Sequence, residues 1–250
     1  ADDPYVPPVP KDVAPIFRDD IAQLDIKLPQ GVARLGHGET PFDDFAYQSL
    51  LPNRLSQLGP GVGWMDLNGD GFEDLVIAAG ANQKILIYYG QADGKFIFAE
   101  GPHLDLDRTG VVGWIAKAGD KPTLLAGIAN YEARSRAFNR APARGYGFVE
   151  DGAEMSVQFS LPSHKHTTGP LAMADVDGDG DLDLFLGGRS VPARYPEPAD
   201  SRLFLNDNGN LKLDETNAMA LEKLGLVSGA VFGDLDGDGD ADLVLALEWG

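Results

Sequence analysis

A nine-residue acidic segment occurs three times in this chain, each time between two short apolar runs. The copies start at Asp66, Asp175 and Asp234. Each places oxygen-bearing side chains at positions 1, 3, 5 and 9 of the segment and a glycine at position 6. Alternate residues of a tight loop can turn their oxygens toward one point, and glycine allows the sharp bend that this requires. Because Ca²⁺ takes six to eight oxygens at about 2.3–2.6 Å, the pattern predicts calcium-binding loops.

We expect about three Ca²⁺ sites, one in each segment. Side-chain oxygens are expected from positions 1, 3, 5 and 9, and a main-chain carbonyl from position 7. The predicted ligands are Asp66, Asn68, Asp70, Phe72 and Asp74 in the first segment, Asp175, Asp177, Asp179, Asp181 and Asp183 in the second, and Asp234, Asp236, Asp238, Asp240 and Asp242 in the third.

The surroundings of these segments exclude an EF-hand. An EF-hand needs a bidentate glutamate at position 12 and a helix on each side. Position 12 is occupied here by Ile77, Leu186 and Leu245. The flanking runs are short, apolar and bounded by glycine, which is typical of buried strands. Each segment is therefore predicted to connect two strands.

The spacing of the segments predicts a repeat. The second and third copies start roughly 60 residues apart, and the first and second about twice as far. A degenerate copy is expected between them, and residues 110–116 and 123–127 resemble the strands that flank the first segment. The connecting residues 117–122 hold one carboxylate and two lysines, so no metal is expected there. A repeat of this length with four short strands is typical of a β-propeller blade.

The sequence thus predicts an all-β fold, a β-propeller of four-stranded blades. About 3.5 blades are expected within the 250 residues, as part of a seven-bladed propeller. We expect hairpin turns at 91–94 and 207–210. The predicted strands are 61–65, 75–80, 84–90 and 95–100 in the first blade and 170–174, 184–188, 202–206 and 211–214 in the third. The predicted blades are 61–109, 110–169, 170–227 and an incomplete 228–250, within a propeller region 37–250 that follows an extended, proline-rich leader 1–36.

A propeller must close on itself to remove its exposed strand edges. Either residues 1–60 supply the missing strands, with 22–29 as one candidate, or further blades follow Gly250. We favour further blades. The sequence starts at Ala1 rather than methionine, which indicates either a removed signal peptide or an arbitrary boundary within a longer sequence; we expect a removed signal peptide.

The acidic segments resemble the calcium loops of FG-GAP/VCBS repeats in integrin α-like propellers, which read D-x-D/N-x-D-G-x-x-D. Residues 45–60, 182–188 and 187–198 are similar to large secreted bacterial proteins in which VCBS repeats precede an ASPIC/UnbV domain, relatives of cartilage acidic protein. No ASPIC/UnbV segment lies within these residues. The resemblance implies a calcium-binding propeller that is secreted, periplasmic or on the cell surface.

The amino-acid composition argues against several kinds of partner and chemistry. A formal net charge of −19 disfavours nucleic acid. The absence of cysteine excludes disulfides and thiol redox chemistry. No apolar run of about 18 residues exists, so no membrane span is expected.

Arginines cluster within an insertion at 130–144, which is either a solvated loop or a docking patch for an acidic partner. They are Arg134, Arg136, Arg140 and Arg144.

No catalytic motif of the common hydrolase, nucleotide-binding or metalloprotease types occurs, and we do not predict an enzyme. His164 and His166 form either part of a polar loop or a transition-metal pair. We expect Trp64, Trp114 and Trp249 to pack in the core. The favoured function is an extracellular, calcium-stabilised propeller that binds a protein or glycan or acts as a scaffold. The alternative is an auxiliary, non-catalytic part of a secreted polysaccharide-active enzyme.

Overall fold

A computed structural model describes residues 40–104, 106–133, 143–148 and 155–249. These residues form fourteen strands and two short helices. The strands are β1 (Val62–Met65), β2 (Asp74–Ile77), β3 (Gln83–Gly90), β4 (Phe96–Leu104), β5 (Arg108–Trp114), β6 (Thr123–Ile128), β7 (Ala143–Phe148), β8 (Met155–Ser160), β9 (Thr167–Ala174), β10 (Asp183–Ser190), β11 (Arg202–Asp207), β12 (Asn210–Leu213), β13 (Val227–Gly233) and β14 (Asp242–Leu247); the helices are α1 (Asp44–Tyr47) and α2 (Ala218–Leu221).

The strands form antiparallel sheets in chain order. β1–β4, β5–β8 and β9–β12 each make a four-stranded sheet, and β13 pairs with β14. The first strands lie side by side, since β5 contacts both β1 and β9, and β9 contacts β13. Four-stranded antiparallel units arranged around neighbouring first strands are the blades of a β-propeller. The prediction of an all-β fold with four-stranded propeller blades is confirmed.

Most predicted strands match the observed ones to within a few residues. The largest difference in the first sheet is β4, which continues to Leu104 through a register shift opposite Lys84 and Leu86. The predicted insertion at 130–144 extends two residues too far at its C-terminal end. Ala143 and Arg144 already belong to β7 and pair with β6. The leader 1–36, the candidate strand 22–29 and the arginines at 134, 136 and 140 lie outside the described residues.

The turn between β11 and β12 shows how sequence sets a hairpin. Asp207 pairs with Asn210, so only two residues form the turn. Asn208 and Gly209 have φ of 51° and 87°. Asn-Gly tolerates two consecutive positive φ values better than other pairs, and the resulting twist matches that of the flanking strands. The predicted turn at 207–210 is confirmed.

The core lies between sheets and is built from successive residues of the same strand. Leu124 packs between the first and second sheets, whereas Leu125 packs between the second and third. In the same way Leu184 belongs to the second of these layers and Phe185 to the layer against β13–β14. Side chains alternate between the two faces of a strand, so a second strand buried on both faces must be apolar throughout.

One tryptophan agrees with the prediction and two differ from it. Trp114 is 2% exposed, but Trp64 is 58% and Trp249 is 56% exposed. Strand register gives the reason for Trp64. Trp114 pairs with Thr123, the first residue of β6, whereas the first residue of β2 pairs with Met65. Trp64 therefore stands one residue earlier in its strand than Trp114 does, and a shift of one residue turns a side chain to the opposite face.

Candidate metal sites in three strand-connecting loops

The three acidic segments occupy equivalent places in the fold. They connect β1 to β2, β9 to β10 and β13 to β14, and therefore follow the same end of three of the four first strands that lie side by side. We call them loops 1, 2 and 3, with residue ranges 66–74, 175–183 and 234–242. Loops between second and third strands lie at the other end of the sheets. The acidic loops thus share one face of the molecule.

The aspartate at position 1 organises each loop. Asp66 Oδ1 accepts a hydrogen bond from the backbone N–H of Gly69 at 2.8 Å, and its Oδ2 accepts one from Gly71 at 2.8 Å. Asp175 accepts the same two bonds at 2.8 and 2.9 Å. Asp234 accepts them at 2.8 and 3.2 Å. One carboxylate therefore holds both glycine-containing bends of its loop.

Glycine is required at position 4 as well as at position 6. Position 4 has φ of 76° to 80° in the three loops, and position 6 has φ of 90° to 94°. Residues other than glycine rarely adopt this backbone conformation. The sequence prediction named only position 6. The glycines at position 4 were visible in all three copies and could have been recognised as a second bend.

The aspartate at position 9 is the deepest part of loops 1 and 2. Asp74 and Asp183 are fully buried. Their Oδ2 atoms accept hydrogen bonds from the backbone N–H at position 2, at 2.8 Å in both loops. Their Oδ1 atoms accept from the third strand, at 2.9 Å from Gly90 and at 2.7 Å from Asn206. These carboxylates therefore tie the loop to a strand that is not adjacent to it in sequence.

Burial also changes the acidity of these two groups. Desolvation raises the pKa of the carboxyls of Asp74 and Asp183 above the ordinary value, and neighbouring loop aspartates raise it further. The hydrogen bonds from the backbone act in the opposite direction. Burial disfavours the charged form of each carboxyl, and a bound cation would stabilise that charged form.

The structure brings together part of the predicted ligand sets of loops 2 and 3. In loop 2, ligand atoms of Asp175, Asp177 and Asp183 lie within 4.8 Å of one another, and positions 1, 3 and 9 of loop 3 do the same. In loop 1, position 3 is Asn68, whose Nδ2 donates to Asp70 Oδ2 at 3.0 Å.

Position 5 lies outside these clusters of the described residues. Its Oδ1 accepts the backbone N–H of position 7 at 2.9 Å in every loop. The donor set is nevertheless made of oxygen alone, with no nitrogen or sulfur ligand in the loops. This chemistry fits a hard cation such as Ca²⁺, and water would complete the coordination.

Register identifies the fourth loop, which lies between β5 and β6. Because Trp114 and Thr123 pair as Met65 and Asp74 do, residues 115–123 are its nine positions. Its ligand positions hold no carboxylate. They are occupied by Ile115, Lys117, Gly119, Lys121 and Thr123. The single carboxylate, Asp120, falls at the position that glycine takes in the acidic loops. These residue types offer few ligands, and the expectation that this loop binds no metal stays a prediction.

Other acidic residues have structural partners. Asp44, which is buried, accepts hydrogen bonds from the backbone of Leu55 and Ser56 at 2.8 and 2.9 Å. Asp107 Oδ1 accepts one from Ala81 N at 2.5 Å. These contacts hold connecting segments in place. Sequence reasoning missed a cluster that joins His164 and His166 to Asp200, because Asp200 lies on a different loop, between β10 and β11.

Comparison with known proteins bears on the second half of the chain. Residues 175–245 match the family model described as an FG-GAP-like repeat. No curated protein matches the chain. No helix of the described residues is long and apolar enough to cross a membrane. The match runs from the first residue of loop 2 into β14, so it covers two acidic loops and strands β10 to β13. An FG-GAP-like repeat within antiparallel four-stranded sheets supports a propeller-like fold in which the acidic clusters could hold metal ions.

Proposed function

We propose that this protein is an extracellular, calcium-stabilised β-propeller that acts as a binding or scaffold module for a protein or glycan. The observation that carries the proposal is the hydrogen-bond frame common to the three loops, together with the clustered carboxylates of loops 2 and 3. Similarity to the secreted bacterial VCBS proteins with an ASPIC/UnbV domain supports a secreted location.

Calcium is proposed to have a structural role. Clustered carboxylates repel one another, and a bound divalent cation turns this repulsion into attraction. The loops connect strands of packed sheets, so each loop already has a single conformation. Calcium would stabilise that conformation rather than switch the protein between two conformations. Binding to the folded state alone stabilises it, by about 1.4 kcal/mol for each site at a concentration tenfold above Kd. Extracellular calcium modules have Kd values of about 10⁻⁴–10⁻³ M, so external calcium would fill such sites.

The binding surface is proposed to lie on loops rather than on the sheets. Loops tolerate variation while the sheets hold them in position, which is why binding residues are often found there. The face opposite the acidic loops carries the longer connections, such as 191–201 between β10 and β11. A division of this kind leaves one face for cations and the other for a partner.

Metal analysis and calorimetry of the 250-residue chain test the proposal. After removal of metal with a chelator and refilling, we expect three bound calcium ions per chain. Asp179→Ala and Asp238→Ala should each reduce the number by one. Asp120→Ala, in the fourth loop, is the matched control and should leave three ions bound. A calcium content near zero in the unmodified chain would refute the proposal.

Partner recognition needs a separate measurement. The calcium-loaded chain can be applied to a glycan array and, in parallel, to immobilised candidate proteins. Binding that is retained in the Asp120→Ala control and lost after chelation would support a calcium-dependent recognition module. Hydrolysis of a polysaccharide by the purified chain would contradict it.

A further inference from the structure

We propose that His164, His166 and Asp200 form a binding site for a divalent transition-metal cation of the Zn²⁺ class. The two histidines lie between β8 and β9, and Asp200 lies between β10 and β11. The site is thus at the start of β9, whereas loop 2 follows its end. Eight residues of strand separate the two places by about 26 Å. The proposal concerns residues that the calcium loops do not use.

The distances among the three side chains fit metal coordination. Asp200 Oδ2 lies 3.3 Å from His164 Nε2 and 3.5 Å from His166 Nδ1. The three ligand atoms all lie within 4.8 Å of one another. Ligands at the Zn–N and Zn–O bond lengths of a tetrahedral site are separated by about 3.3–3.4 Å. Two of the three separations therefore match the edges of such a tetrahedron.

The hydrogen bonds show which lone pair of His166 would bind the cation. His166 Nδ1 accepts the backbone N–H of Asp200 at 2.8 Å, so this nitrogen carries no proton. It has one lone pair, and a cation bound there replaces this hydrogen bond. The same nitrogen lies 3.5 Å from Asp200 Oδ2, and a cation between these two acceptors bonds to both.

His164 presents its other ring nitrogen to the carboxylate. Its Nδ1 accepts the backbone N–H of His166 at 3.2 Å, which assigns the ring proton to Nε2, on the side of Asp200. Coordination through Nε2 moves this proton to Nδ1, so the imidazole stays neutral. The 3.2 Å hydrogen bond is lost when the metal binds.

Surrounding residues hold the ligands in position. Asp200 Oδ1 accepts the backbone N–H of Lys223 at 2.9 Å, which leaves Oδ2 for the cluster. Asn130 accepts the hydroxyl of Thr167 at 2.9 Å and donates to Lys165 O at 3.2 Å, and so fixes both neighbours of His166. Hydrogen bonds of this kind around a metal site orient its ligands and raise its affinity.

The site opens on one side. His164 and Asp200 line a groove of about 380 Å³ whose other walls include Arg202, Leu203 and Met219. Three protein ligands leave one tetrahedral position, and an open position beside solvent is typical of zinc sites that bind water or a further ligand. Arg202 on the groove wall favours a small anionic group, such as a carboxylate, at that position.

Cobalt and zinc titrations of the calcium-saturated chain test this site. We expect one Zn²⁺ per chain in addition to calcium, and a tetrahedral Co²⁺ absorption band that Zn²⁺ abolishes. His164→Ala and Asp200→Asn should each weaken Zn²⁺ binding at least tenfold and remove the cobalt band. His103→Ala changes an exposed histidine of β4 and should alter neither. The calcium content should stay the same in all three variants, so failure here is distinguishable from failure of the calcium proposal.

His164 is the better position for the decisive variant because it is more exposed than His166, and thermal unfolding of His164→Ala will show whether the fold is kept. Zinc binding that persists unchanged in His164→Ala and Asp200→Asn would overturn the proposal. So would zinc that is displaced by excess calcium, since it would then occupy the acidic loops.

Discussion

Among single residues, the aspartate at position 9 of loops 1 and 2 is both a predicted calcium ligand and a buried acceptor of a hydrogen bond from the third strand of its sheet. Asp183 is buried and accepts backbone hydrogen bonds from Val176 and Asn206. We expect Asp183→Ala to lower the free energy of unfolding by roughly 2–4 kcal/mol even in the presence of a chelator, because two buried donors lose their partner. Asp179→Ala changes an exposed residue and should cost less than about 0.5 kcal/mol in chelator, with a larger loss only in calcium.

Urea denaturation with chelator and with calcium measures both effects, and Asp120→Ala serves as the control. Equal losses for Asp179→Ala and Asp183→Ala in chelator would show that position 9 has no structural role of its own. Sequence alone predicted which oxygen-bearing residues share each loop, because their spacing is local; that they bind calcium stays a prediction. It could not predict the bonds to Gly90 and Asn206, because those residues reach the carboxylate only through pairing of the third strand.

Within the strands, two tryptophans that look equivalent in sequence lie on opposite faces. Trp114 packs with Phe159 at a ring separation of 5.6 Å, and its Nε1 donates to Leu182 O at 3.3 Å. We expect Trp114→Ala to lower the free energy of unfolding by about 3–5 kcal/mol. Trp64→Ala should cost less than about 1 kcal/mol, because this ring remains largely exposed. Thermal or urea unfolding of the two variants compares the same substitution in matching strands.

A similar loss in both variants would contradict the assigned register. The strands themselves were predictable, since apolar runs and Asn-Gly or glycine-containing turns are local signals. Strand register was not predictable. A difference of one residue between a glycine and a tryptophan changes which face the ring occupies, and this is known only once the two strands are paired. For the same reason the fourth loop could be recognised as poor in carboxylates, but its nine positions could not be assigned.

For the whole molecule, two sheet faces remain apolar and exposed in the described residues. Val62 and Trp64 are each more than half exposed on the outer face of the first sheet. Val231 is 59% and the loop 3 residue Leu235 is 71% exposed beside β13–β14. Contiguous apolar surface and open strand edges favour association. We expect the 250-residue chain to self-associate as its concentration rises.

Sedimentation velocity over a concentration series measures this association. Trp64→Lys should shift the distribution toward monomer, whereas Met219→Lys, an exposed residue of α2, should not. A chain that stays monomeric throughout would contradict the prediction. The expectation that further blades follow Gly250 stays a prediction, and blades placed against these two faces would remove the association.

The backbone N–H of Asn206, in the third strand of its sheet, donates a hydrogen bond to Asp183 in loop 2. The NMR signal of this amide should therefore report on the loop from a distance. When a cation draws on one oxygen of a carboxylate, the hydrogen bond to its other oxygen changes strength. The amide resonances of Gly90 and Asn206 should therefore move during a calcium titration followed by NMR, together with the loop glycines. In the second sheet Thr123 replaces the aspartate, so the amide of Phe148, at the matching place on β7, should stay still. Three amides, none of them in an acidic loop, would thus tell an observer which blades hold an ion.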